Sequence, residues 1–164
     1  MVELRHADLG DPRDVNAMLA LLDGYARDVT GGGKPLAEDV KARLPRDLAE
    51  RPGALVLLAF EGEEPAALAI AFEGYSTFAA APLLNLHDFA VAPAFRGRRI
   101  AALLLERLET EARERGCCKI TLEVLEHNRR ARSVYAAAGY ESYELVPEQG
   151  RALFLHKRLA QARS

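Results

Sequence analysis

"LHDFAVAPAFRGRRIAALLL", residues 86–105, contains the turn on which the fold depends. The apolar run ending at Val91 reads as a buried strand, Pro93 stops it, and the apolar spacing from Ile100 onward reads as a helix. Between strand and helix stand Arg96, Arg98 and Arg99. Cations at a helix start oppose the backbone dipole, which already places partial positive charge there. The same turn leaves several backbone N–H groups without helical acceptors. With Gly97 allowing close approach to the main chain, this is a nest for a phosphate or pyrophosphate, whose oxygens the guanidinium groups can grip. A doubly charged ligand would turn the electrostatic conflict into attraction. The alternative is an arginine face that points into solvent.

Neither of the common nucleotide fingerprints, G-x-G-x-x-G or G-x-x-x-x-G-K-[ST], is present. "TGGGK" (30–34) is followed by Pro35 instead of a helix-opening Ser or Thr, so it reads as a linker or mobile flap.

Outward from the opening stretch, the helix runs through Leu103, Leu104, Leu108 and Ala112 and closes at Gly116. "CKITLEVLE" (118–126) reads as the next strand, and "NRRARSVYAAAGY" (128–140) as a short helix stopped by Gly139. Upstream, "ALVLLAF" (54–60) and "AALAIAFEG" (66–74) form a hairpin across "EGEEP", and "LLNLHDFAV" (83–91) is a third long strand. "VELR" is a short strand, Pro12 to Asp28 is an amphipathic helix, and "LAEDVKARL" (36–44) is helical until Pro45 breaks it or starts another. "YESYELV" (140–146) and "RALFLHKRL" (151–159) close the chain as strands. The strand–helix–strand centre is long enough for a parallel crossover, and the flanking hairpins require a mixed sheet. The expected class is α/β (α+β), with a mostly antiparallel central sheet and helices on both faces.

The chain has 164 residues, 49% hydrophobic and 28% charged, which suits one soluble domain over 1–164. Its net charge of -2 confines any attraction for phosphates to a local patch and argues against nucleic acid. The N-terminus lacks an apolar signal-peptide region, and no apolar run approaches the ~20 residues that cross a bilayer, so a cytoplasmic protein without membrane contact is expected. Cys117 and Cys118 are adjacent, a spacing that suits neither a disulfide framework nor a metal site, and no metal is expected.

"VAPAFRGRRIAALLLERLETEARERGCCKITLEVLEHNRRARSVYAAAGYE" resembles the core of the GNAT N-acetyltransferase superfamily. Arg96 and Ala101 match the first and last positions of its [QR]-x-x-G-x-[GA] motif, whereas Arg99 stands where the family usually has Gly. Asn128, Ala131, Tyr135, Gly139 and Tyr140 match N-x-x-A-x-x-x-Y-x-x-x-G-[FY]. "ALAIAFEGYSTFAAAPLLNLHDFAV" is similar to the same region of the diamine and thialysine acetyltransferases, with His87-Asp88 where that subgroup has Glu-Asp. Tyr25 matches the tyrosine of the first helix, but Ala26 replaces the acidic residue expected after it.

The resemblance implies acetyl transfer from acetyl-CoA to a primary amine of a small molecule (an amino acid, a diamine or a related amine), directly within a ternary complex. It implies that Arg96 and the amides of Gly97, Arg98, Arg99, Ile100, Ala101 and Ala102 hold the pyrophosphate. Phe89, Ala90 and Val91 would line the thioester, and Asn128 and Tyr135 would complete the cofactor site. Tyr135 would be the general acid. Without the resemblance it reads as a core tyrosine. His87 can take a proton near neutral pH and is the candidate base, directly or through water, with Glu123 behind it. Asp88 points to the opposite face unless a bulge intervenes, and could orient the substrate ammonium. Tyr25, His87 and Asp88 are thus the substrate-binding candidates. Arg129, Arg130 and Arg132 read as a solvated face or as contacts for the distal phosphate of coenzyme A. Relatives often pair through their C-terminal strands, which implies a homodimer. The reading in another class is a non-catalytic acyl-CoA-binding regulatory domain.

Overall fold

The structure, a computed structural model, describes residues 1–142, 154–157 and 159. The described elements are β1 (Val2–His6), α1 (Pro12–Arg27), α2 (Glu38–Glu50), β2 (Ala54–Glu61), β3 (Glu64–Ser76), β4 (Ala81–Val91), α3 (Ile100–Glu114), β5 (Ile120–Leu122) and α4 (Arg129–Ala137). The five strands form one sheet in chain order, antiparallel throughout except for the parallel β4–β5 pair.

The apolar runs of β2 and β3 show no polar alternation because both sheet faces are covered. Leu55, Leu57 and Ala59 pack toward α3, with Leu104 and Leu108 in the same core. Val56, Leu58 and Phe60 pack the other way, into a core with Met18, Leu21 and Leu22 of α1. The helices therefore flank the sheet on both sides, as expected.

Asp11 accepts from Arg13 N–H at 2.9 Å at the start of α1, with Pro12 in the first turn. A deeper tie anchors the same end. Asp14 is fully buried and accepts from Arg5 of β1 at 2.6 Å and from the Asp8 N–H at 2.9 Å. On the opposite face, buried Glu111 of α3 meets His6 at 2.6 Å and Arg107 at 2.7 Å. β1 is thus pinned to one helix on each side.

Two expectations need correction, and a third lies mostly outside the described residues. α2 does not end before Pro45: it runs to Glu50, because Leu44 and buried Leu48, one turn apart, both pack on the α1-side core. That packing outweighs the one helical hydrogen bond proline removes. The strand expected over 118–126 shrinks to Ile120–Leu122, whose partners are Leu84 to Leu86. Cys117 and Cys118 therefore precede the strand, half-buried and exposed respectively. Of the C-terminal strands expected over 140–146 and 151–159, most residues lie outside the described ones, and no described position there is in a strand. Among the described residues no helix is long and apolar enough to cross a membrane.

Arg99, the residue just before α3, lies in the left-handed region (φ 62°, ψ 6°). The family-atypical residue thus adopts the conformation a glycine would take there. Every side chain pays for that conformation, and a β-branched one pays most.

Two stability outcomes follow. Asp14→Ala, which takes the buried acceptor from both Arg5 and the Asp8 N–H, should lower unfolding free energy by about 2–4 kcal/mol in urea titration. Arg99→Val should be about 1–2 kcal/mol less stable than Arg99→Gly in the same measurement.

Candidate active site

β4 carries one residue more than β3 can pair. Ile70 faces Asp88 and Ala71 faces Leu86, which leaves His87 unpartnered as a bulge. The extra residue reverses the alternation that follows. Leu84 and Leu86 face the α3-side core before it, and Phe89 and Val91 face that same core after it. His87 and Asp88 then fall together on the α1 side. The His87 ring meets Phe72 edge-on at 5.5 Å, and the Asp88 carboxylate is felt by Tyr25. The bulge admitted in the sequence reading is therefore present.

Pairing between β4 and β5 stops at Leu86 and Leu122. Beyond that point β4 runs on to Val91 with no strand paired on that side among the described residues, which leaves a free edge, or wedge, beside the segment after β5. The Ala92 N–H bonds Ala66 of β3 at 2.9 Å, so strand alternation turns Ala90 toward β3 and the amides of Phe89 and Val91 toward the wedge. The Val91 carbonyl, on that open edge, accepts from Arg96 Nε at 3.1 Å.

Tyr135 of α4 enters from the far side. Its residue is 9% exposed, and its ring lies 5.9 Å from Phe89 and 5.8 Å from Tyr140. The hydroxyl makes no hydrogen bond among the described residues. Burial, with Tyr25 and Tyr140 nearby, pushes this phenol up to about 12. Burial also raises Tyr25, helped by Asp88 and Asp28. Asp88 has no hydrogen bond or salt bridge among the described residues, and burial lifts its carboxyl above the usual range despite adjacent His87. Tyr25 thus lies within electrostatic reach of both Asp88 and Tyr135.

The first helical bond of α3 runs from Leu103 N–H to Arg99 O at 3.1 Å, so the N–H groups of residues 97–102 lie ahead of the ladder. No acidic side chain occupies the first turn, and no side chain caps the helix. These features fit an anionic phosphate group. The arginines are not idle, however. Arg98 pairs with Glu61 at 2.6 Å and lies over the Phe95 ring, while Arg96 pairs with Asp28 at 3.5 Å. Asn128 accepts from the Ala131 N–H at 3.1 Å and so caps α4. Arg132 donates to the Glu126 carbonyl at 3.0 Å. Arg129 and Arg130 are exposed, and Glu123 lies just past the end of β5, exposed. No group of three His, Cys, Asp or Glu among the described residues could hold a metal.

Asp28 was not legible as a site residue. Its Oδ1 accepts from the Thr30 N–H at 3.0 Å and the Thr30 hydroxyl at 2.9 Å, closing a short 3-10 turn over Val29–Gly31. "D-x-T" announces such a turn, but not the arginine reached from across the molecule. The turn gives part of the loop read over 30–34 a defined shape. A Cβ on Gly31 would overlap the Tyr25 carbonyl, so the loop sits directly on the end of α1.

Residues 19–140 match the Acetyltransferase (GNAT) family. A thialysine N-epsilon-acetyltransferase of Caenorhabditis elegans is 32% identical over 83 residues, 51% of this chain and 51% of that protein, so the match spans about half of each. Among solved structures, a transcriptional regulator from Bacillus halodurans C-125 superposes with a TM-score of 0.78 at 22% identity, covering 96% of this chain and 100% of that one. AAC(6')-Iy, in complex with the bisubstrate analogue CoA-S-monomethyl-acetylneamine, gives a TM-score of 0.75 at 19% identity, covering 97% of this chain and 99% of that one. A bulged β4, a wedge beside it and an uncapped helix start are thus found in a chain that belongs to the GNAT acetyltransferase family.

Proposed function

We propose that the protein transfers the acetyl group of acetyl-CoA to a primary amine of a small molecule, by direct attack in a ternary complex. The observation that carries this reading is the Tyr135 hydroxyl, buried, without a hydrogen bond among the described residues and held protonated beside Phe89 of β4. The thialysine acetyltransferase and the coenzyme A adduct among the similar proteins support an amine acceptor and an acyl-CoA donor.

Acetyl-CoA supplies the thioester. The N–H groups of residues 97–102 would receive its pyrophosphate, and the outward amides of Phe89 and Val91 would hydrogen-bond along the open edge of β4, polarising the carbonyl. Asp88, lacking a cation of its own, orients the acceptor ammonium beside Tyr25. His87, exposed and next in the bulge, takes the ammonium proton directly or through water. As the C–N bond forms and the C–S bond breaks, Tyr135 gives its proton to the departing thiolate, and the second proton shed by the acylated nitrogen restores the phenol through solvent. Neither cysteine is needed, since Cys117 and Cys118 lie before β5 rather than at its wedge end. A homodimer and a cytoplasmic location are part of the same proposal.

Mixing the protein with acetyl-CoA and a panel of amines that includes thialysine should release free thiol and yield an acetylated amine. A folded protein giving no thiol with any of them would refute the enzyme. Tyr135→Phe should lower kcat by about 10²–10⁴-fold while leaving coenzyme A affinity within about twofold. Because Tyr135 stays protonated to about 12, kcat should show no alkaline fall before the protein itself unfolds. Asp88 binds an ammonium only when ionised. Its raised carboxyl should therefore make equilibrium binding of the amine weaken on acidification at a higher pH than an ordinary carboxylate would, and Asp88→Asn should remove that pH dependence from the binding constant.

A further inference from the structure

The reading above needs Arg96 at the pyrophosphate, yet Arg96 already has a partner. Its Nη2 lies 3.5 Å from Asp28 Oδ2, and its Nε donates to the Val91 carbonyl at 3.1 Å. Asp28 belongs to the other half of the site. Its N–H bonds the Tyr25 carbonyl at 3.0 Å, and its own carbonyl accepts from the N–H groups of Gly31 at 2.9 Å and Gly33 at 3.0 Å. The loop closes on α1 through the Lys34 N–H to the Ala26 carbonyl at 3.1 Å. One ion pair therefore joins the loop beside Tyr25 to the loop ahead of α3.

We infer that Asp28 and the cofactor's phosphates compete for Arg96, so that uptake of acetyl-CoA releases the Asp28 carboxylate toward the acceptor side. The competition is unequal. The pair is long and partly exposed, with the Arg96 side chain 38% and the Asp28 side chain 32% accessible. A diphosphate offers two charges and several acceptor oxygens to the same guanidinium, in a nest whose N–H groups already favour an anion. Arg96 can turn to it without leaving Val91, because Nε and Nη2 bond in different directions.

Once released, Asp28 stands with no cation, near Tyr25 and on the side that holds Asp88. Before loading, the acceptor side carries one uncompensated carboxylate; after loading it carries two. A cationic amine then binds better to the loaded protein than to the empty one, and the loop over Val29–Gly31 loses its anchor at the same moment. Asp28 is thus a positioning residue that acts through Arg96. The inference rests on the acetyl-CoA reading of the site.

The test uses coenzyme A as the probe and needs no turnover. Asp28→Asn keeps a side-chain oxygen to cap Thr30 but loses the charge that holds Arg96. By calorimetry this variant should bind coenzyme A about three- to tenfold more tightly than the natural chain. Saturating coenzyme A should also speed amide exchange at Gly31 and Gly33 severalfold in the natural chain. Arg96→Ala should show fast exchange at both glycines already, unchanged by coenzyme A. Equal or weaker binding by Asp28→Asn, or glycine exchange in the natural chain that ignores coenzyme A, overturns the competition. Absence of any saturable coenzyme A uptake by the natural chain overturns the proposed function along with it.

Discussion

A single surplus residue in β4 governs the geometry of this molecule. Were β4 to alternate without interruption, Asp88 would follow Leu84 and Leu86 into the α3-side core, where an unpaired carboxylate is costly. Phe89 and Val91 would then face α1. By placing His87 outside the ladder, the strand keeps its apolar residues in one core and turns Asp88 toward Tyr25. The added twist of a bulge also accounts for the early end of the β4–β5 pairing. Without that parting there would be no free strand edge for a ligand to complete.

Much of the architecture was legible because burial imposes its own pattern. β2 and β3 are apolar on both faces, and the run from Ile100 to Ala112 keeps helical spacing, so no tertiary knowledge was needed to place them. The misreadings lie where tertiary contact overrules a local signal. Pro45 is a breaker by itself, yet Leu44 and Leu48 on one helical face hold α2 together around it. Ile120 to Glu126 has strand chemistry throughout, but a strand needs a partner, and β4 withdraws its own after Leu86.

The site was legible to the extent that its chemistry is local. The arginine-rich turn, the tyrosine of α4 and the acidic position in β4 can each be picked out by residue type and spacing. Asn128 sits where the motif puts it, and its side chain caps α4. What could not be read is pairing across the fold. Nothing in "RDVTGGG" says that Asp28 meets Arg96, nor does "FEGEE" say that Glu61 meets Arg98. Arg99 shows the converse. A side chain that breaks the expected motif still takes the backbone shape the motif requires, because the turn into α3 admits only that shape.

The strands of the sheet stand side by side in the order in which they occur along the chain, and β2, β3 and β4 are joined by hairpins. Such a meander assembles from contacts close in sequence, which keeps loop-closure entropy small and folding fast. The β1–β2 and β4–β5 pairs instead wait for the helices between them, α1 and α2 in the first case and α3 in the second, so both flanks of the described sheet close onto the hairpin-linked centre of β2, β3 and β4.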